Sequence, residues 1–178
     1  MLREEPRDRG RARTFFITVL ESRNPSIPAD IALAGARLAL AWVFIYYGAG
    51  KLFGAFNGPG LHQTALFFAD TAHLHPGGFF AVFGGVIEFG GGVALTLGLV
   101  TRLAGMALFL DMMMAMVTVT WANGIHAAPP RTGYELNLAL AALALIVVCL
   151  GAGRLSFDFL FKSRMATSDD TSSPIFER

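Results

Sequence analysis

Four apolar stretches separated by polar segments dominate the pattern along the chain. They are Ile31–Phe53, Phe79–Leu99, Leu103–Trp121 and Tyr134–Leu150. An α-helix rises about 1.5 Å per residue, so about 20 apolar residues cross a hydrocarbon core roughly 30 Å thick. The pattern therefore predicts an all-α fold, an antiparallel bundle of four transmembrane helices.

Each apolar stretch also contains ionisable residues. A charge at the middle of a membrane costs about 2.5–3.5 kcal/mol on insertion scales, so such a residue usually faces the bundle interior, pairs with another charge or carries function. In chain order these residues are Arg37, Lys51, Glu88, Asp111 and Glu135.

Counting residues from the ends of the stretches gives an expected depth for each charge. Arg37 and Asp111 come out at similar depths near one side of the membrane, and Lys51 and Glu135 lie together near the other. The count therefore predicts an Arg37–Asp111 pair and a Lys51–Glu135 pair. A purely structural role, in which buried pairs fix the helix register, is the alternative for both.

Glu88 lies near the middle of the second stretch, and the depth count finds no cation beside it. Gly84 and Gly91 share its helix face, and small residues at that spacing let another helix approach closely. We expect Glu88 to point toward the bundle axis, where Tyr46, Tyr47 or Asn137 would hydrogen-bond to it. A carboxyl in such surroundings suits proton exchange or binding of a ligand.

The composition agrees with a polytopic membrane protein and divides the chain into three parts. Hydrophobic residues make up 54% of the 178 residues, and the mean hydropathy is +0.54. Residues 1–30 form an Arg-rich tail in which Phe15–Leu20 has the pattern of a short interfacial helix. Residues 31–158 form the membrane domain, and residues 159–178 form a polar tail.

The distribution of basic residues predicts the orientation in the membrane. Of the 14 Lys and Arg residues, eleven lie before the first stretch, after the fourth stretch, or at the short turn between the second and third stretches. Short segments rich in Lys and Arg remain in the cytoplasm, which places both termini there and the protein in the plasma membrane. The eleven are Arg3, Arg7, Arg9, Arg11, Arg13, Arg23, Arg102, Arg154, Lys162, Arg164 and Arg178.

Several classes of chemistry find little support in the sequence. Cys149 is the only cysteine, so a Cys-x-x-Cys redox pair is excluded, and we expect this thiol to be a small buried hydrophobe. His73 and His75, with Asp70 nearby, are weak candidates for a metal site, and we expect none. There is no nucleotide fingerprint, and nucleic-acid binding is not expected, because the basic tail is explained by topology.

Three groups of residues, taken in order, resemble the DoxX family. The first is Arg37 followed by Tyr47-Gly48-Ala49-Gly50-Lys51-Leu52, and the second is Glu88-Phe89-Gly90-Gly91 with Leu97-Gly98-Leu99 and Arg102. The third is Gly133-Tyr134-Glu135-Leu136-Asn137-Leu138 followed by Gly151-Ala152-Gly153-Arg154-Leu155-Ser156-Phe157-Asp158. The resemblance covers about residues 31–158 and implies a four-helix integral membrane protein.

The resemblance also implies a link to redox chemistry. Some related members are associated with thiosulfate oxidation that delivers electrons to quinone, and others with membrane complexes that handle oxidative and thiol stress. We therefore expect a membrane subunit or scaffold of an oxidoreductase complex, with a redox protein as partner and with quinone as the ligand to consider. No redox centre or catalytic constellation of its own is evident, so the catalytic centre is expected on the partner.

Two other functions remain open. A small proton-coupled transporter, as a homo-oligomer, would use Glu88 to couple proton movement to export of a lipophilic cation. A purely structural interaction protein would tolerate Glu88→Gln. In the redox interpretation Glu88 handles a proton at a bound quinol, while Arg37, Tyr47, Lys51, Asp111, Glu135 and Asn137 form a polar network or contact the ligand.

Overall fold

The computed structural model describes residues 27–128 and 131–159, and within them the fold is entirely helical. Five helices follow in order: α1 Ile27–Phe53, α2 Gly60–Asp70, α3 Gly77–Leu97, α4 Thr101–Ala115 and α5 Glu135–Leu150. A short 3₁₀ turn, Ala55–Asn57, links α1 to α2. The candidate interfacial helix at residues 15–20 and most of the C-terminal tail lie outside the described residues.

The helix that contains Asp111 continues beyond α4 with a change of geometry. Met116–Thr120 forms a π-helical turn, and Trp121–Asn123 a 3₁₀ turn. With these turns included, the three segments Ile27–Phe53, Gly77–Leu97 and Thr101–Asn123 are long and apolar enough to cross a membrane. α5 is also apolar, but it has only 16 residues. Its length is therefore about 24 Å, which is shorter than a hydrocarbon core of roughly 30 Å.

The four long helices form an antiparallel bundle, as the sequence predicts. α1 packs mainly on α3, α3 also packs on α4, and α4 packs on α5. α2 lies against α3 near the end of the bundle at which α1 terminates. The core is apolar and includes Leu40, Phe44, Leu95, Leu108 and Val147, which are all nearly inaccessible to solvent.

Glycines on α3 allow the close helix contacts that set the register of the bundle. A Cβ added at Gly85 would lie 2.7 Å from the side chain of Leu52, and one at Gly92 would lie 2.9 Å from the carbonyl oxygen of Ala41. On α1, a Cβ at Gly48 would lie 2.4 Å from the backbone nitrogen of Phe89. Of the two glycines named from the sequence, Gly91 makes a close contact, with the Leu108 side chain 3.0 Å from an added Cβ, whereas the contacts of Gly84 are 3.7 Å or longer.

We name the two ends of the bundle by their chain segments. The tail side comprises residues 98–100 and 151–159, next to the start of α1 and the end of α5. The loop side comprises residues 54–76 and 124–134, next to the end of α1 and the start of α5. Cys149, expected to be buried, is instead exposed, because it lies on the outer face of α5, away from the core residues Ala144 and Val147.

The first turn of α1 contains a proline and an acidic residue. The helix begins at Ile27, so Pro28 lies in its first turn, where a missing N–H breaks no helical hydrogen bond. Asp30 lies in this first turn as well and therefore does not cap the helix.

Candidate functional site

Arg37 is buried at the tail side, where it binds the backbone of the segment after α5. Its Nη1 donates to the carbonyl oxygen of Ala152, and its Nη2 donates to that of Leu155 at 2.7 Å. Gly98, at the end of α3, lies beside the guanidinium. Arg37 therefore attaches the C-terminal segment to the bundle.

Asp158 completes the structure around Arg37 by capping α4. Its Oδ1 accepts the N–H of Val100 at 2.8 Å, and its Oδ2 accepts that of Thr101 at 3.0 Å. Partial burial raises the pKa of Asp158, but these hydrogen bonds and the charge of Arg37 outweigh that effect and hold the pKa below its ordinary value. This cap was not predicted from the sequence, although Asp158 is part of the third family motif.

The expected Arg37–Asp111 pair is wrong. Arg37 is level with Gly98 at the end of α3, whereas the Asp111 carboxyl is level with Gly84, where an added Cβ would lie 3.8 Å from Asp111 Oδ1. These glycines are fourteen positions apart, which corresponds to about 21 Å along α3. The depth count failed because it set the ends of all four helices at common levels, whereas the glycine contacts stagger them.

Lys51 and Glu88 form an ion pair inside the bundle. The Lys51 Nζ lies 2.5 Å from Glu88 Oε1, with the Glu88 side chain only 2% exposed. Gly48 contacts Phe89 and Leu52 contacts Gly85, so Lys51 lies beside the turn of α3 that carries Glu88. Cα–Cβ bonds tilt toward the N-terminus of a helix, so these two side chains, on antiparallel helices, lean toward each other.

This ion pair corrects two expectations. Glu88 has a cationic partner, contrary to the depth count, and Lys51 does not pair with Glu135. Glu135 instead lies on the exposed loop side, where its Oε2 is 2.8 Å from His126 Nδ1. Tyr46 and Tyr47 make no hydrogen bond to Glu88 among the described residues.

Asp111 joins Lys51 and Glu88 to form a three-residue cluster. The Asp111 carboxyl is within hydrogen-bonding reach of the Glu88 carboxyl. Glu88 Oε2 and Asp111 Oδ2 are buried, and neither accepts a hydrogen bond from an N–H or hydroxyl donor in the described part of the chain. Two carboxyls can hydrogen-bond to each other only if one of them holds a proton. We call Lys51, Glu88 and Asp111 the charged cluster.

A cavity of about 460 Å³, which we call the lateral cavity, lies between α2, α3 and α4. Its volume falls in the range of small-molecule sites, roughly 300–1,000 Å³. Its walls are mostly apolar, and several of them are also exposed on the outer surface of the bundle, where lipid chains would touch them. These exposed wall residues are Phe67, Phe83, Leu110 and Met114. Lys51 and Asp111 line its inner end.

A second cavity of about 420 Å³, the loop-side cavity, also borders the charged cluster. Glu88 and Lys51 line it, together with polar groups of the loop-side segments. These include Tyr47, Arg131, Thr132, Glu135 and Asn137. The two cavities share Lys51, Thr120 and Asn137 in their linings, as well as Ala115.

Thr120 and Asn137 connect the π-helical turn to α5. Asn137 Nδ2 donates to Thr120 Oγ1 at 3.2 Å. π-helical turns occur often at functional sites. Asn137 was a candidate from the sequence, but Thr120 was missed. Its signal was a polar residue near the end of an otherwise apolar stretch.

The remaining candidate residues fall outside this cluster. His73 and His75 belong to no group of three or more potential metal ligands within the residues that the structure describes. Arg37 lies at the opposite end of the bundle. Of the predicted site residues, the structure therefore brings together Lys51, Glu88 and Asp111, with Tyr47, Glu135 and Asn137 along the loop-side cavity.

Comparison with known families agrees with the motifs. The DoxX family model matches residues 32–121. The chain belongs to the DoxX family. The match includes all three residues of the charged cluster and ends before α5, so the third motif of the sequence lies outside it. No curated protein and no solved structure matches the chain.

Proposed function

We propose that this DoxX protein is the quinone-binding membrane subunit of an oxidoreductase complex. The observation that carries the proposal is the lateral cavity, whose apolar walls face the bilayer and whose inner end has an ammonium and a carboxyl. A quinone has the matching chemistry, because its apolar tail partitions into lipid while its two carbonyl oxygens accept hydrogen bonds.

The charged cluster supports a ligand that exchanges protons. Quinone reduction adds two electrons and two protons, and forms two O–H bonds. In this proposal the electrons come from a reduced redox centre of a partner protein. The Lys51 ammonium donates a hydrogen bond to one carbonyl oxygen, and the Asp111 carboxyl holds a proton beside the ligand.

The same cluster argues against export of lipophilic cations. A cation in the lateral cavity would meet the Lys51 ammonium, and Glu88 is already paired with it at 2.5 Å. The transporter interpretation therefore has less support than the redox interpretation, although both would use a buried carboxyl.

The proposal includes an orientation in the plasma membrane. The tail side carries Arg102 and Arg154 and connects to both terminal segments, which contain most of the basic residues. The tail side then faces the cytoplasm, and the loop side faces outward. A reporter fused after residue 178 is expected to be cytoplasmic, and one inserted at residue 57 external.

Direct binding of a quinone tests the proposal. The full chain is purified in lipid nanodiscs and titrated with decylubiquinone, a short-chain ubiquinone analogue, by equilibrium binding. Saturable binding is expected. Ala107 lines the lateral cavity and is half-buried, so Ala107→Phe should fill the cavity and weaken binding at least tenfold.

The matched control is Ala142→Phe, on the exposed face of α5 and outside the linings of both cavities. It should bind like the wild type. Failure of the wild type to bind, or equal binding by the two phenylalanine variants, would refute the quinone site. Purification in mild detergent should also recover a redox protein that is lost when the bundle is disrupted.

A further inference from the structure

The two members of the carboxyl pair face different cavities. Asp111 lines the lateral cavity and is absent from the lining of the loop-side cavity, whereas Glu88 lines the loop-side cavity and is absent from that of the lateral one. The two carboxyls are within hydrogen-bonding reach of each other. Together they form a polar link between two adjoining cavities, whose linings also share Lys51, Thr120 and Asn137.

We infer that Asp111 and Glu88 are a proton relay, in which the loop-side cavity exchanges protons with water and Asp111 exchanges them with the ligand. The inference rests on the proposed quinone site and adds the path and the side from which its protons come. It assigns different roles to the two carboxyls, which the sequence did not distinguish.

Charge balance supports one mobile proton in this pair. Two buried carboxylates in contact cannot both ionise easily, and Lys51 supplies a single positive charge. With one proton on the pair, the charged cluster is neutral overall. The unpaired atoms Glu88 Oε2 and Asp111 Oδ2 are the positions at which this proton can be held.

The other ionisable or polar groups near the cluster are distributed unequally. On the lateral side, α2 contributes Thr64 and the π-helical turn contributes Thr118. On the loop side, α1 contributes Tyr47, α5 contributes Glu135, and the preceding segment contributes Arg131 and Thr132. Thr120 and Asn137 line both cavities. The loop-side cavity therefore has the polar surroundings that hold water, and the lateral cavity has those of a lipid-soluble ligand.

Each step of the relay transfers one proton between neighbouring oxygen atoms. When the partner's reduced centre has delivered electrons to the quinone, the Asp111 O–H bond breaks and a quinone oxygen gains that proton. The Asp111 carboxylate then takes a proton from Glu88, and Glu88 takes one from water in the loop-side cavity. Two passages of this relay supply the two protons of the quinol.

Filling each cavity separately tests this path. Ala127 lines the loop-side cavity and Ala107 lines the lateral cavity, and both are half-buried alanines. Ala127→Phe and Ala107→Phe are thus a matched pair. The measured quantity is the rate at which the protonated carboxyl exchanges hydrogen for deuterium. This rate is monitored through the infrared C=O stretch of the carboxyl, in nanodiscs without quinone.

We expect Ala127→Phe to slow this exchange at least tenfold while decylubiquinone binding stays unchanged. Ala107→Phe should weaken binding at least tenfold while the exchange rate stays within about twofold of the wild type. The carboxyl band should disappear in Asp111→Asn and persist in Glu135→Gln, which lies in the loop-side cavity but outside the pair.

Each result separates the relay from the quinone site. Exchange that is slowed by Ala107→Phe and not by Ala127→Phe would overturn the relay, even if the quinone binds. Absence of a protonated-carboxyl band in the wild type would overturn it as well. Loss of quinone binding with the exchange pattern intact would instead refute the proposed ligand and retain the proton path.

Discussion

The tail side and the interior of this bundle bury charge in different ways. At the tail side, the Arg37 guanidinium donates to two backbone carbonyls of the C-terminal segment, and only its Nε lacks an acceptor in the described part of the chain. In the interior, the charged cluster leaves carboxyl oxygens of Glu88 and Asp111 without a donor among the described residues, and it borders two cavities. A buried charge that is bound by backbone stabilises the fold, whereas one beside cavities with free acceptor atoms is available for chemistry.

The comparison predicts its largest effect on stability at Arg37. Arg37→Leu leaves two carbonyls without a donor and releases the C-terminal segment, so the free energy of unfolding should fall by about 3 kcal/mol or more. The melting temperature in detergent measures this loss. The control is Arg102→Leu, which removes an exposed arginine from the same side and should change little. A wild-type melting temperature for Arg37→Leu would show that this end is not structural.

The next largest effect is expected at the helix contact that sets the register of the charged cluster. A Cβ at Gly48 would lie 2.4 Å from the backbone of Phe89, and backbone has little freedom to move aside. Gly48→Ala should cost about 1–3 kcal/mol and should separate Lys51 from Glu88. Gly90→Ala is the control, because nothing lies within 4 Å of its added Cβ. Equal stability of the two variants would contradict this packing.

A smaller effect is expected at Asp158. Asp158→Ala removes the acceptor of two N–H groups at the start of α4 and should cost about 1 kcal/mol. The pKa of Asp158 is lowered in the folded protein, so its stabilisation is complete above its ordinary pKa of about 3.9 and is lost as the pH falls through the lower folded value. Melting curves from neutral to acidic pH should converge for wild type and Asp158→Ala. A constant difference down to the lowest pH would contradict the ionised cap.

The smallest stability effect is expected at the charged cluster itself. Glu88→Gln keeps the shape of the side chain, and Lys51, which is 27% exposed, still has Asp111 beside it. The melting temperature should shift by the equivalent of less than about 1 kcal/mol, while the proposed quinone-linked function is lost. A variant that melts normally and fully complements a deletion strain would remove the proton role of Glu88.

The sequence predicted the helices better than the pairs between them. Apolar length alone located all four long helices, and the glycines around Glu88 correctly indicated a close helix contact. The charge pairs were wrong because their depth depends on how far each helix is shifted along its neighbour. That shift is determined by contacts such as Gly48 on Phe89, which involve residues distant in sequence.

The cluster itself illustrates the same limit. Lys51, Glu88 and Asp111 were all candidates, because charges in apolar stretches are conspicuous. That the three side chains meet was not predictable, because this depends on how far α1, α3 and α4 are shifted along one another. The Asp158 cap was missed for another reason. The segment after α5 folds back onto the start of α4, and hydrophobic periodicity does not predict a contact of this kind.

The π-helical turn at Met116–Thr120 has a consequence for the phase of its helix. In a regular α-helix, residues nine positions apart differ by about 900°, or half a revolution, so Thr120 would face away from Asp111. Both residues nevertheless line the lateral cavity. The wider turn acts as a one-residue insertion that rotates the end of the helix, and deletion of Val119 should reset the phase and turn Thr120 away from Asn137.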